Sequence, residues 1–116
     1  MNKSISDNYT IKEAMNLFEG DNERTVVVIN NANKVIGVLT EGDIIRALHD
    51  NIDIHTPIKT ILLPSFLYMK EKDMAKAYTI FKSKRISLLP VVNENFELLE
   101  VITLNDIFQY LEREKK

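Results

Sequence analysis

The chain has 116 residues, 45% of them apolar and 28% charged, and a net charge of −2 from 15 basic and 17 acidic side chains. That is one domain of ordinary size, or two half-sized repeats folded together, with enough surface to bury a core unaided. The near-neutral balance argues against a protein that works by coating nucleic acid or an anionic membrane. The absence of cysteine excludes disulfides, thiolate nucleophiles, iron–sulfur clusters and cysteine–zinc sites. The longest apolar runs, such as Val26-Val27-Val28-Ile29, are four residues, far short of the roughly twenty that a membrane span needs. The first eight residues lack the apolar stretch of a secretory signal. The expectation is a soluble cytoplasmic chain with no membrane span.

Elements follow in chain order. Ile11, Ala14, Met15 and Phe18 recur at helical spacing behind Thr10, a natural N-cap, with Glu13 placed to complete a capping box. Thr25 to Ile29 is a β-branched run and reads as a buried strand. Asn30-Asn31-Ala32-Asn33 is turn chemistry, and Lys34 to Leu39 returns as a second strand. Thr40-Glu41-Gly42-Asp43 opens a helix that carries Ile44, Ile45, Ala47 and Leu48. A linker, Asn51 to Ser65, holds Pro57 and Pro64 around the apolar segment Ile58 to Leu63. Asp73 then caps a helix bearing Met74, Ala77, Tyr78 and Phe81. Leu88 to Val92 is a strand, Asn93-Glu94-Asn95 a turn, and Glu97 to Ile102 a strand. Thr103 to about Leu111 is the closing helix. Ser4–Asp7 and Ser65–Met69 are short extended candidates, and Glu112 to Lys116 is a charged tail.

The second half copies the first. An offset of 63 aligns about forty residues without a gap. Ala14 meets Ala77, Phe18 meets Phe81, Val28 meets Val91, and Asn30 meets Asn93. Val38 meets Val101, Thr40 meets Thr103, Asp43 meets Asp106, Ile44 meets Ile107, and Leu48 meets Leu111. The unit is helix–strand–strand–helix, used twice. The first repeat covers about residues 1–50, the linker about 51–65 and the second repeat about 66–114.

Catalytic groups are sparse. His49 falls near a helix end and His55 in a turn-like connection, with no convergent metal ligands implied by their spacing. No Gly-x-Ser-x-Gly elbow and no glycine-rich phosphate loop occurs. The expectation is no enzyme, no metal site and no obligatory cofactor.

Two segments carry a resemblance to a known family: Gly37-Val38-Leu39-Thr40-Glu41-Gly42-Asp43-Ile44 and Glu100-Val101-Ile102-Thr103-Leu104-Asn105-Asp106-Ile107. With the strand entry Ser87-Leu88-Leu89-Pro90-Val91-Val92, they make the chain resemble a tandem pair of CBS domains, a Bateman module. The resemblance implies an α+β fold of two repeats related by a pseudo-twofold axis, which usually pairs into a homodimer. It also implies clefts between the two repeats that take AMP, ADP, ATP or S-adenosylmethionine as regulatory ligands, and so tune a fused or associated catalytic domain or other partner. Thr-Glu-Gly-Asp-Ile-Ile-Arg is partly similar to pairs attached to sugar-nucleotidyltransferases and sugar-phosphate isomerases, with Ile45 standing where that version has arginine.

The residues explain why such clefts would work. A carboxylate three residues beyond a strand-end threonine can accept both hydroxyls of a ribose, and the helix start attracts phosphate. One cleft would use Thr40, Gly42, Asp43 and Arg46, with Thr25 and Val26 as a wall and Arg24 nearby. The other would use Thr103 and Asp106 with Leu88, Leu89, Pro90 and Phe66, and Lys84 and Arg85 as further charge. Arg46 and Gly42 direct phosphate to the first cleft, whereas Gln109 and Glu100 occupy the matching places of Arg46 and Gly37 in the second. Thr and Asp also cap helices without any ligand. The alternative is therefore a ligand-free dimerisation module whose exposed helices use Ile44, Ala47, Ile107 and Tyr110. Phe18, Phe81, Phe108, Tyr78 and Tyr110 belong to buried or interface faces. Lys82-Ser83-Lys84-Arg85 is a solvated basic turn, not a nucleic-acid site.

Overall fold

A computed structural model describes residues 3–21 and 24–114. Lys115 and Lys116 of the charged tail lie outside the described residues. The chain divides into two compact units, 1–66 and 67–116.

The first unit runs β1 (Ser4–Ser6), α1 (Ile11–Asp21), β2 (Thr25–Ile29), β3 (Val35–Thr40) and α2 (Glu41–His49). The Thr10–Glu13 capping box forms as the sequence predicts. Thr10 N–H donates to Glu13 Oε1 at 2.9 Å and Glu13 N–H to Thr10 Oγ1 at 3.1 Å. β2 pairs antiparallel with β3 and parallel with β1. Ile11, Ala14, Phe18, Val26, Val28, Leu39, Ile44 and Ala47 bury together as its core.

The linker is not a free tether over its first half. Ile58, in the 3-10 turn Ile58–Thr60, is fully buried in this core, and Ile52, Ile61 and Leu62 pack on it. Leu62 lies so close to Gly37 that a methyl group there would meet its Cδ1 at 3.2 Å.

The second unit runs α3 (Met74–Lys84), β4 (Leu88–Val92), β5 (Leu98–Thr103) and α4 (Leu104–Glu114). Asp73 caps α3, its Oδ1 accepting from Lys76 N–H at 3.1 Å. Met69, Ala77, Phe81, Leu89, Val91, Ile102 and Ile107 form the core.

The repeat extends below the level of elements. Both hairpins carry a bulge at the same place, between Val28 and Ile29 and between Val91 and Val92. Asn30 Oδ1 accepts from Ala32 and Lys34 N–H, and Asn93 Oδ1 from Asn95 and Glu97 N–H. These Asx turns explain why asparagine recurs there. Asn33 and Phe96 both take the left-handed conformation, at φ 61° and 64°. Asparagine tolerates it more readily than phenylalanine.

One difference has a direct cause. Val27 N–H donates to Lys3 O at 2.9 Å and helps hold β1 on the sheet. At the matching position Pro90 has no N–H. The expected second extended piece shrinks to one bridge, Met69 to Val91, with Met69 N–H on Pro90 O and Val92 N–H on Met69 O.

Several expectations need correction. Ile44, Ala47 and Ile107 are not on exposed interface faces but inside the cores, at 4%, 3% and 2% exposure. Phe108 is exposed, which leaves the interface face of the two expected for it. The apolar side chains that do reach the surface of α2 and α4 are Ile45, Leu48, Leu104 and Phe108. Phe18 and Phe81 are core residues, and Tyr78 packs half-buried against the second core. Helices α1 and α4 also run three residues beyond the expected ends, to Asp21 and Glu114.

Candidate functional site

Each unit builds one helix start from a strand end. In the first, β3 ends at Thr40, opposite Thr25 in the sheet register. Thr40 is the N-cap of α2. Its Oγ1 accepts from Asp43 N–H at 3.1 Å, and Asp43 Oδ2 accepts from Thr40 N–H at 2.8 Å. In the second, β5 ends at Thr103, opposite Leu88. Thr103 N–H and Oγ1–H both donate to Asp106 Oδ2, at 2.8 and 3.0 Å, and Thr103 Oγ1 accepts from Asp106 N–H at 3.3 Å.

The strand entry is tied to the helix start in both units. Glu41 N–H donates to Arg24 O at 2.9 Å, and Leu104 N–H to Ser87 O at 3.1 Å. The next amides, of Gly42 and Asn105, have no acceptor among the described residues. They are the donors at each start that an anion could take. The structure thus brings Thr25, Thr40, Gly42 and Asp43 together, and likewise Leu88, Thr103 and Asp106. Val26, Leu88, Leu89 and Pro90 are buried, so their contribution to a ligand is confined to backbone edges. Phe66 is half-buried and falls within the first unit.

The two carboxylates differ. Asp43 is 5% exposed, and its second oxygen, Oδ1, accepts from Arg46 Nη2 at 2.9 Å. Arg46 is therefore held by the site's own carboxylate. Arg24 likewise pairs with Glu41 at 3.2 Å, which offsets the negative charge beside Gly42. In the second unit Gln109 replaces Arg46, and Asp106 Oδ1 has no partner among the described residues. Gly42 is helical with ordinary backbone angles. A methyl group there would touch only Thr40 Oγ1, at 3.6 Å, so the space before this helix start is open.

Among the described residues, no group of histidine and carboxylate side chains could hold a metal ion. His49 ends α2, and His55 sits in a turn, its N–H on Asp53 Oδ1 at 2.8 Å. No helix among the described residues is long and apolar enough to cross a membrane.

Sequence reasoning missed one feature, a groove of about 230 Å³ between the start of α3, β5 and α4. The signal was present in the repeat alignment, where Gly37 and Ala47 face Glu100 and Tyr110.

Two α+β units with one Thr-x-x-Asp helix start apiece define a tandem repeat module. The CBS domain model matches residues 2–50 and 69–113, so the chain belongs to the CBS domain family. It is 26% identical over 107 residues to inosine-5'-monophosphate dehydrogenase of Methanocaldococcus jannaschii, covering 91% of this chain and 21% of that enzyme. It is 31% identical over 85 residues to the arabinose 5-phosphate isomerase GutQ of Salmonella typhi, covering 72% of this chain and 26% of the isomerase. The chain spans 65%, 21% and 46% of the lengths of three curated relatives that it matches. Among solved structures, the CBS domain protein PAE2072 of Pyrobaculum aerophilum, complexed with AMP, superposes with a TM-score of 0.73. The match covers 97% of this chain and 92% of that one at 22% identity.

Proposed function

We propose that the chain is a regulatory module that binds an adenosine-containing nucleotide at its Thr-x-x-Asp helix starts and thereby tunes a fused or associated protein in the cytoplasm. The observation that carries this reading is the helix start of the second unit. There a carboxylate oxygen, Asp106 Oδ1, and an amide, Asn105 N–H, both lack internal partners within one helical turn. A carboxylate suits ribose hydroxyls, and an unpaired helix-start amide suits phosphate. Capping alone explains the Thr103–Asp106 bonds but leaves those two groups unused. PAE2072 and CBSX2, two similar CBS proteins, are each known in complex with AMP, which supports the ligand class. On this reading residues of about 1–50 and 66–114 act as two repeats joined by 51–65. AMP, ADP, ATP and S-adenosylmethionine are the candidate ligands.

The test is calorimetric and thermal-shift titration of the full chain with those four ligands and a guanosine control. Thr40→Ala/Asp43→Ala and Thr103→Ala/Asp106→Ala variants run in parallel. A saturable response specific to adenosine ligands, lost in the second variant, is expected. A flat response from folded protein overturns the reading.

One observation favours a second reading, assembly without ligand. Ile45 and Phe108 occupy the same repeat position and are 59% and 58% exposed. Large apolar side chains exposed in register are suited to pairing with a second copy. Sedimentation of an Ile45→Ser/Phe108→Ser variant tests it. A wild-type dimer that becomes monomeric supports the interface, and a wild-type monomer removes it.

A further inference from the structure

At matching repeat positions the two units carry opposite shapes. Between α1 and α2 the first unit has an apolar hollow of about 220 Å³. Buried Phe18 and Ile44 floor it, exposed Ile45 and Leu48 wall it, and Glu19 and Glu41 stand at its rim. The match of Ile45 in the second unit is Phe108, an exposed ring on α4. An apolar cavity of about 150 Å³ accepts a benzene ring, so the hollow has room for that of Phe108.

The rim also changes sign at one repeat position. Glu19 is exposed and has no ion pair among the described residues. Its match is Lys82, also exposed, with Nζ over the Tyr78 ring at 5.9 Å from the centroid. The other charges nearly cancel. Arg24 holds Glu41 at 3.2 Å, and Lys12 lies two turns before Glu19 on α1. In the second unit Glu112 follows Phe108 by one turn, and Arg85 ends α3. Selectivity therefore comes from shape and from the sign at that one position, not from net charge. Pairing two first-unit faces sets hollow against hollow and Glu19 against Glu19. Pairing two second-unit faces sets ring against ring and Lys82 against Lys82. Crossed pairing matches both shape and sign.

We propose that two copies of the chain pair crosswise. The Phe108 ring of one copy seats in the Ile45–Leu48 hollow of the other and brings Lys82 to the Glu19 rim. This rests on the assembly reading above and adds to it which face meets which. Each copy carries both halves of the contact, so a twofold axis makes it twice. Seating the ring takes Ile45 and Phe108 out of water together.

The test is sedimentation of the full chain in two arms. In the first, Phe108→Ser removes the ring and Ile45→Glu spoils the hollow. Each variant alone should be monomeric at a concentration where the wild type is dimeric. An equimolar mixture should recover dimer, because the intact ring of one variant meets the intact hollow of the other. Like-to-like pairing gives no such recovery, since every contact in the mixture would keep one damaged face. In the second arm, Glu19→Lys and Lys82→Glu should each weaken the dimer several-fold at low salt, and the double variant should restore it. Like-to-like pairing leaves all three near wild type, because every replacement still faces its own copy. A wild-type monomer removes the assembly reading and this inference together. A wild-type dimer in which either recovery fails overturns this inference alone.

Discussion

Replacing Asp43 tests whether the helix start of the first unit is held by its own carboxylate. Asp43→Ala deletes the acceptor of Thr40 N–H at 2.8 Å and the partner of Arg46 at 2.9 Å, in a side chain that is 5% exposed. Stranding a part-buried amide costs about 1–3 kcal/mol. The Arg46 pair adds only a few tenths, because the arginine side chain is 49% exposed and screened by water. The sum is about 2 kcal/mol. For a chain of this size that lowers the melting temperature by roughly 8 °C. Asp43→Asn keeps an oxygen for Thr40 N–H and turns its amide toward Arg46, which can swing into solvent. Its cost is expected to stay below about 1 kcal/mol. Thermal melts by circular dichroism and urea titrations on the three proteins give the comparison. The urea midpoint should move while the slope stays constant. An Asp43→Ala protein melting within a degree or two of wild type, or an Asn variant as unstable as the Ala variant, would refute the capping argument.

The other predictions concern space and pH. Gly37→Glu copies the residue of the second unit into the place covered by Leu62; displacing that side chain should cost about 2 kcal/mol, read as a lower urea midpoint. Gly42→Ala should stabilise by about 0.5–1 kcal/mol, because a helical glycine gains from a methyl group that here touches only Thr40 Oγ1 at 3.6 Å; an equilibrium melt checks it, and a loss of stability would mean the space is not open. Tyr110 should titrate above the ordinary phenol range, chiefly through desolvation, then through the charge of Glu114 and its hydrogen bond, with a smaller push from Asp73. The folded protein then holds that proton more tightly than the unfolded chain. Its contribution is complete below the ordinary tyrosine value near 10 and fades as pH rises through the higher folded value. Ultraviolet phenolate titration of Glu114→Gln should bring the last-titrating tyrosine down.

The elements were legible because their signals are local. Thr10 with Glu13, Asp73 before Met74, and the β-branched run from Thr25 to Ile29 each state an element within a few residues. The repeat then checked each reading against its copy. Failures came where the answer depends on contacts distant in sequence. Ile44, Ala47 and Ile107 share a helical stripe with Ile45 and Phe108, and periodicity alone does not say which edge of a broad stripe meets the core. Arg46 meets a partner on its own helix, one turn away. Spacing shows that Asp43 and Arg46 can meet, not that they do. The packing of Ile58 was hidden because a proline-flanked segment reads as connection, whereas Pro57 here only ends the extended approach that carries Ile54 and Thr56 to α1.

The asymmetry of the two units bears on which helix start is ready for a ligand. In the first, both oxygens of Asp43 are engaged, one by Thr40 N–H and one by Arg46. A ribose must displace the arginine before it can use that carboxylate fully, so part of its binding energy goes into breaking an existing pair. In the second, Gln109 leaves Asp106 Oδ1 unengaged, and two bonds from Thr103 already fix the carboxylate through the other oxygen. A group oriented in advance and short of one partner gives up less on binding than a group already satisfied. Arg46 therefore works first as the tether of Asp43. On the proposed reading, a nucleotide at the first start gains that cation only by releasing it, and the exchange of arginine for glutamine, one helical turn beyond the shared aspartate, favours the second start.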